Sequence, residues 1–369
     1  MPIRALPIGK IAPALLEKLI ADATRIEPTQ IKTEVSSEFG ANMARHPDSG
    51  IATRTDILLG PGIGEDACAL SIAGGALVAA MDPITMTGQG VGRHAVIINA
   101  NDVAVTGVRP QWFLATILVP PGTLDVELAN IFEEIRCALQ CFGACLVGGH
   151  TEVTNAVNQP VVIGQMMGYS PAGTFVRTGG LRPGDAVLQV GPAPIEGAAL
   201  LVERLSPDAL LRIDTALVEA ARGALDSPGI SVVHPALEAA RLGATAMHDP
   251  TEGGLSTGLW EMANASGVRL DIENENVAWF EAGVALAHAL ELNPWGLLAS
   301  GCLLVGAPAP LALEIREHLT QGGYRVSHIG HASAGAGVYL DGVHAPRFER
   351  DEISRLSNSP TPDKPSING

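Results

Sequence analysis

No run in the 369-residue sequence approaches the ~18 uninterrupted apolar residues that a membrane-spanning helix requires. The first twenty residues interleave Arg4, Lys10, Glu17 and Lys18 with apolar positions, unlike a signal peptide. A soluble, cytoplasmic protein is expected. Cysteine is scarce and odd in number: Cys68, Cys137, Cys141, Cys145 and Cys302. A chain this long needs no staples, so free thiols in a reducing compartment are the simpler reading. Basic residues are also short, with 23 Lys+Arg against 39 Asp+Glu and a net charge of -16. Such a surface repels a phosphate backbone, which argues against nucleic-acid partners. It does not argue against ATP, because a divalent cation reverses the local sign.

The sequence lacks three common signatures. Gly60-Pro61-Gly62-Ile63-Gly64-Glu65-Asp66 is not a Walker A loop, since no Gly-Lys-Ser/Thr follows. It is not a dinucleotide fingerprint, since no strand leads directly into it. No Cys/His spacing suits zinc; Cys137, Cys141 and Cys145 read as small apolar residues on or beside a helix broken by Gly143.

What is present is a mixture of strands and helices without a strict β-α-β repeat, which favours α+β over a doubly wound sheet. The pattern predicts helices over 11–22, 92–105, 125–142, 197–204, 208–225, 235–242, 254–265 and 310–320. It predicts strands over 76–81, 113–119, 146–147, 161–167, 186–190 and 302–305. The turn-rich segment 178–185 marks a domain boundary. The expected division is an N-terminal helix and irregular segment (1–57), a first domain (58–177), a second domain (178–348) and a tail (349–369). Its last fifteen residues have a disordered composition.

Polar clusters interrupt these apolar elements. Gly62 and Gly64 precede Asp66, so backbone N–H groups can approach an anion beside an acid that can hold a cation. Asp82 follows an apolar strand. Asn101 and Asp102 lie inside a helix apolar on nearly every side, where a carboxylate is costly unless paired or metal-bound. Gly148-Gly149-His150-Thr151-Glu152 follows a strand. His248-Asp249-Pro250-Thr251-Glu252-Gly253-Gly254 opens a helix, where Asp249 or Thr251 could cap and the N-terminus could hold an anion. Each cluster alone also reads as a surface turn, a cap or a satisfied structural acid. Together, Asp66, Asp82, Asp102, Glu152 and Asp249 beside glycine loops point to oxygen-coordinated Mg²⁺ bridging phosphates.

In this order, the clusters resemble the aminoimidazole-ribotide-synthetase (PurM-like) superfamily. The resemblance spans roughly 58–345 and rests on Gly64-Glu65-Asp66-Ala67, Asp82-Pro83-Ile84-Thr85, Asn101-Asp102-Val103-Ala104, Gly148 to Glu152, and Asp249 to Leu255. His-Thr-Glu at 150–152 and the opening Gly9-Lys10-Ile11-Ala12-Pro13 look most like HypE-like, AIR-synthase-related proteins. The resemblance implies a two-domain fold: an N-terminal half forming a dimeric β-barrel, and a C-terminal α/β domain. It implies a homodimer with ATP and Mg²⁺ at the interface. It places metal contacts at Asp66, Asp82, Asp102 and Asp249, and nucleotide contacts also at Gly62, Gly64, Asn101, Gly148, Gly149 and Thr151. It gives catalytic roles to Asp102, His150 and Glu152.

The implied activity is phosphorylation or dehydration of a small molecule or of a group borne by a maturation partner. The alternatives are a nucleotide-binding accessory protein without turnover and a thiamine-monophosphate-kinase-like enzyme. Glu65-Asp66 and His150 depart from that kinase's usual aspartates. HypE itself ends in a cysteine that accepts a carbamoyl group; this sequence has none after Cys302, so self-modification at the C-terminus is not expected.

Overall fold

In a computed structural model the described residues are 57–59, 65–85 and 90–358. The helix expected over 11–22, the irregular segment up to residue 56, Gly62 and Gly64 lie outside them. The remainder is an α+β protein of two domains, each built on one mixed sheet.

The first sheet comprises β1 (Ile57–Leu59), β2 (Cys68–Ile72), β3 (Gly75–Ile84), β4 (Trp112–Val119), β5 (Cys145–Val153) and β6 (Val161–Ser170), in the order β1-β2-β3-β6-β4-β5. Only β4 and β5 run parallel. Its middle strands follow a two-residue period. Val78 and Ala80, Phe113, Ala115, Ile117 and Val119, and Val162 and Met166 are buried, while their neighbours are half-buried or exposed. The buried face is covered by α1 (Val91–Ala104) and α2 (Asp125–Phe142). The sheet is open among the described residues, with β1 and β5 at its edges.

Every residue of α1 except Arg93 is buried, as its all-round apolar sequence predicts. Close packing is secured by glycines on the helix and on its neighbour β6. A Cβ at Gly164 on β6 would lie 2.6 Å from Asn99 Nδ2 and 2.7 Å from Phe113 Cε2, and one at Gly92 would lie 2.4 Å from the Ile131 carbonyl oxygen on α2.

The second sheet has the order β13-β12-β9-β11-β7-β10-β8. Its strands are β7 (Asp185–Val190), β8 (Ala246–His248), β9 (Arg269–Ile272), β10 (Leu303–Pro308), β11 (Val326–Ser333), β12 (Gly337–Leu340) and β13 (Val343–His344). All six residues of β7 are buried, because both faces are covered. On one side α5 (Val233–Arg241) and α8 (Ala309–Gln321) join a core that continues into the first sheet. On the other, α6 (Gly254–Ser266) packs Leu255, Leu259 and Met262 against Val187 and Leu304. A third cluster joins α3 (Glu196–Arg204), α4 (Thr215–Arg222) and α7 (Glu281–Ala289).

Three expectations need correction. The helix over 208–225 is broken into a turn at Pro207–Leu210 and α4, because the Asp214 carboxylate accepts from the Ala216 N–H and starts a new helix. The strand over 146–147 continues to Val153, so the His-Thr-Glu motif is strand and not loop. The segment assigned to the tail from 349 begins packed. The Asp351 carboxylate accepts from the Gly253 and Ile353 N–H groups at 3.0 and 2.9 Å, and Ile353 is buried.

Two measurements follow. Gly164→Ala forces Asn99 and Phe113 apart, and should cost about 1–3 kcal/mol in denaturant titration; an unchanged midpoint would show that the helix–sheet contact is slack. Burial pushes the Asp351 carboxyl up to about 7, with Glu252 and Glu196 adding repulsion against its two backbone hydrogen bonds. A raised folded-state pKa favours the protonated form. Its stabilising contribution is therefore present below the ordinary value of about 4 and lost as pH rises through about 7. The denaturation midpoint should fall between about pH 4 and 7, and Asp351→Asn should flatten that slope; an identical slope in the variant would count against this source.

Candidate metal and nucleotide site

The sequence segment His248-Asp249 closes β8 at the joint between the domains. Asp66 precedes β2 in the first domain. Folding brings them together: ligand atoms of Asp66, His248 and Asp249 all lie within 4.8 Å of one another. His248 Nδ1 is 2.8 Å from Asp66 Oδ2, and its Nε2 is 3.0 Å from Glu261 Oε2 on α6. The Thr178 hydroxyl donates to the same Asp66 oxygen at 3.4 Å. His248 and Asp249 are 4% and 1% exposed, so these charges interact with little solvent between them.

The electrostatic consequences are opposite for the two neighbours. Burial opposes charge on His248, but Asp66 and Glu261 outweigh it and raise its pKa well above the ordinary range. Burial raises the Asp249 carboxyl well above its ordinary value, and Asp66 raises it further; His248 only partly compensates, and Asp82 adds a smaller repulsion. Neither Asp249 oxygen has a hydrogen-bond partner among the described residues. A buried, unpartnered carboxylate surrounded by acids is stable only as the acid or beside a cation. The donor set on that side is carboxylate oxygen, which suits a hard divalent ion.

Asp82 is held next to this group. Its N–H donates to Asn99 Oδ1 at 2.8 Å, and Asn99 Nδ2 donates to the Asp82 carbonyl at 3.2 Å. Asp102 is buried on α1. Asn101, expected at the nucleotide, instead bridges the domains: Nδ2 donates to the Ile230 carbonyl and Oδ1 accepts from the Val232 N–H, both at 2.9 Å. The N-cap of α6 is Gly253, and the Asp249 side chain, which has no hydrogen-bond partner, does not cap the helix. The N-terminal N–H of Gly253 is already met by Asp351, so the anion at that helix end is internal.

The second glycine motif lies elsewhere. Asp82 pairs with Gly164, Gly164 with Ala115, and Ala115 with Gly149, which places Gly149 three strands from Asp82. Three strand spacings are roughly 14 Å. Alternation puts Gly149 and Thr151 on the same face as Asp82, and Gly148, His150 and Glu152 on the other. His150 Nε2 and Glu152 Oε2 are 3.5 Å apart and well exposed. Within one chain, therefore, Asp66 and Asp249 converge, Asp82 is near enough to repel Asp249, and His150 and Glu152 do not join them. Gly149 is required by strand pairing: at φ +148°, its Cβ would lie 1.9 Å from the Ala115 carbonyl oxygen.

Sequence reasoning assigned no role to His248, Glu261 or Thr178. The one visible signal was a histidine directly before Asp249; its partner Asp66 is 182 residues away. The cysteines also differ from expectation, since Cys137, Cys141 and Cys145 are exposed and only Cys302 is buried.

Among the described residues no helix is long and apolar enough to cross a membrane. Residues 64–170 match the family described as AIR synthase related protein, N-terminal domain, and 182–342 match its C-terminal domain. Carbamoyl dehydratase HypE of Rhizobium leguminosarum bv. viciae is 28% identical over 293 residues, spanning 76% of this chain and 80% of that protein. Carbamoyl dehydratase HypE of Cupriavidus necator is 30% identical over 268 residues, spanning 69% and 73%. The crystal structure of hydrogenase maturation protein HypE in complex with ATP superposes with a TM-score of 0.66 at 22% identity, covering 79% of this chain and 90% of that one. With both domain signatures in register and the two-sheet architecture in place, the chain belongs to the AIR synthase-related family, on its HypE-like side.

Proposed function

We propose that the chain is a cytoplasmic, Mg-ATP-dependent phosphoryl-transfer enzyme that phosphorylates or dehydrates a small molecule or a group carried by a maturation partner. One observation carries the reading: the buried Asp249 carboxylate, without a hydrogen-bond donor, beside Asp66. A divalent ion satisfies both groups and lets ATP phosphates approach an acidic surface. Asp66 and Asp249 would hold the ion, with Asp82 and Asp102 completing the acid set. Bound Mg²⁺ supplies charge neutralisation at the phosphates. The names of the relatives support a HypE-like acceptor chemistry, and the ATP complex of a structural neighbour supports the nucleotide.

The active unit is a homodimer. All nine residues of β5 are exposed, including Leu146, Val147 and Val153, and a bare apolar edge strand invites pairing. The sheet face away from the helices is also apolar, with Met81 63% exposed and Leu114, Leu118, Ile163 and Met167 near it. Pairing across a two-fold axis would close the sheets of two chains into a barrel. It would also give the Gly148–Glu152 motif of one protomer a route to the acids of its partner, where Gly148, Gly149 and Thr151 serve the phosphates and His150 and Glu152 the reacting group.

Calorimetry should detect ATP binding that requires Mg²⁺. Asp249→Asn should abolish the metal dependence while leaving the melting temperature of the metal-free chain unchanged or higher, because it removes a buried like-charge repulsion. Equal ATP affinity in EDTA would sink the proposal. ADP release with a panel of acceptors, thiamine monophosphate included, would identify the branch; ATP binding without release under any acceptor or partner would favour the accessory reading. Light scattering should give twice the 38.2 kDa chain mass, and Val147→Lys should yield monomers that no longer turn over ATP. A monomeric wild-type chain at micromolar concentration would refute the shared site.

A further inference from the structure

A cavity of about 450 Å³ opens where β7 ends and where β10 and β11 begin, beside the start of α5. That volume lies within the roughly 300–1,000 Å³ typical of small-molecule sites. It is not the acid cluster: β8, β10, β7 and β11 are neighbours in that order, so Arg325 at the head of β11 stands three strands, roughly 14 Å, from the end of β8. The cavity is preformed by main chain. Gly191, Gly229 and Gly301 line it at φ of 81°, 87° and 97°. A Cβ at Gly191 would lie 2.6 Å from the Gly301 carbonyl oxygen, and one at Gly301 would lie 2.7 Å from that of Gly229. Three backbone segments therefore touch where side chains would keep them apart. Val190, Ile195 and Val232 are buried beside them, so the walls are apolar. Ile230 and Val232 are also the residues that Asn101 grips, which fixes one wall to the domain joint.

The polar groups gather at the mouth, and they favour an anion. Arg325 Nη1 donates to the Trp279 carbonyl at 3.1 Å, and the guanidinium makes no ion pair among the described residues. The chain has 39 acids to 23 bases, yet none of those acids is seen to meet this arginine. Next to it the Tyr324 hydroxyl lies 3.1 Å from His234 Nδ1, with the two rings stacked at 5.8 Å. His234 is in the first turn of α5, whose N-cap Val232 has no side-chain acceptor to offer. The positive end of that helix and the free edge of the guanidinium therefore meet at one opening. We propose that this cavity is a binding site for a small carboxylate with a compact apolar body. The body lies against Val190, Ile195 and Val232, and the carboxylate takes the N–H groups that Arg325 leaves unused, in the planar geometry a guanidinium offers. The site is separate from the nucleotide, and the inference does not depend on the Mg-ATP reading.

The test is calorimetry on the full chain with 2-naphthoate as probe and 2-naphthamide as its uncharged counterpart. Wild type should bind one equivalent of naphthoate, and bind the amide more weakly. Arg325 is exposed, so Arg325→Gln should fold as wild type does. It should weaken naphthoate at least about tenfold, the worth of a hydrogen bond to a charged group, and leave the amide within twofold. Ser231 is an exposed residue of the cavity wall, and Ser231→Trp should fill the opening and abolish binding of both probes. Absence of naphthoate binding by wild type at millimolar concentration would overturn the proposal. So would an Arg325→Gln affinity within twofold of wild type, or binding that survives Ser231→Trp. Displacement of the probe by Mg-ATP would put it in the nucleotide site and reject a separate one.

Discussion

Carboxylates buried side by side repel, and the joint between the two domains is built around that repulsion. Asp66 approaches from the first domain and Asp249 from the second, with Asp82 adding to the same field. His248 offsets part of the charge through Asp66 and Glu261, but the Asp249 oxygens remain without donors. Left alone, this arrangement favours a proton on Asp249; with a divalent ion it favours the carboxylate. On the proposed reading the destabilised charge is what draws a cation, and it exists only because two distant chain segments are held together.

What holds them is α1. A helix buried on every side can serve both domains at once, and its amide side chains are placed accordingly. Asn99 binds the backbone at Asp82 at the end of β3. Asn101, two residues on, points the other way and grips Ile230 and Val232 in the second domain. Ile97 and Ile98 pack against Ile195 and Ile230 to complete the joint. The tight approach of α1 to β6 depends on Gly164, where any side chain would push Asn99 off the strand that carries Asp82. Packing and site geometry are therefore one constraint here.

The elements with strong local signals were legible in the sequence. β3, β4, β6, α1 and α2 lie where apolar period and turn residues put them. The α+β class followed from strands and helices mixing without a strict β-α-β repeat, and the acids at 66, 82 and 249 stood out beside glycines, a strand end and a helix start. The rest depended on contacts the sequence does not display. β11 escaped notice because His328 and His331 interrupt its apolar run and its register shifts at Gly330. Gly148-Gly149 read as a loop, although Gly149 is there so that β5 can lie against β4. Because the motif is strand, alternation puts His150 and Glu152 on the face of the sheet away from Asp82. Asn101 looked like a ligand because a buried polar residue beside an acid has no local partner; its partners are more than 125 residues away.

The cysteines bear on where the reacting group resides. A thiol acceptor must ionise and reach the phosphates. Cys302 is buried, and burial pushes its pKa up to about 12. Cys137 is exposed on the outer side of α2, where hydrogen bonding to Glu133 raises its pKa. Cys141 and Cys145 are also exposed. Cys68 is close in sequence to Asp66, but it pairs with Ala79. Alternation along β3 puts Ala79 on the face opposite Asp82. Cys68 is therefore turned away from the face that carries Asp82, and Cys137 and Cys302 are held against ionising. On the proposed reading, an acceptor that is delivered, as a small molecule or on a partner, fits this geometry better than Cys68, Cys137 or Cys302 does.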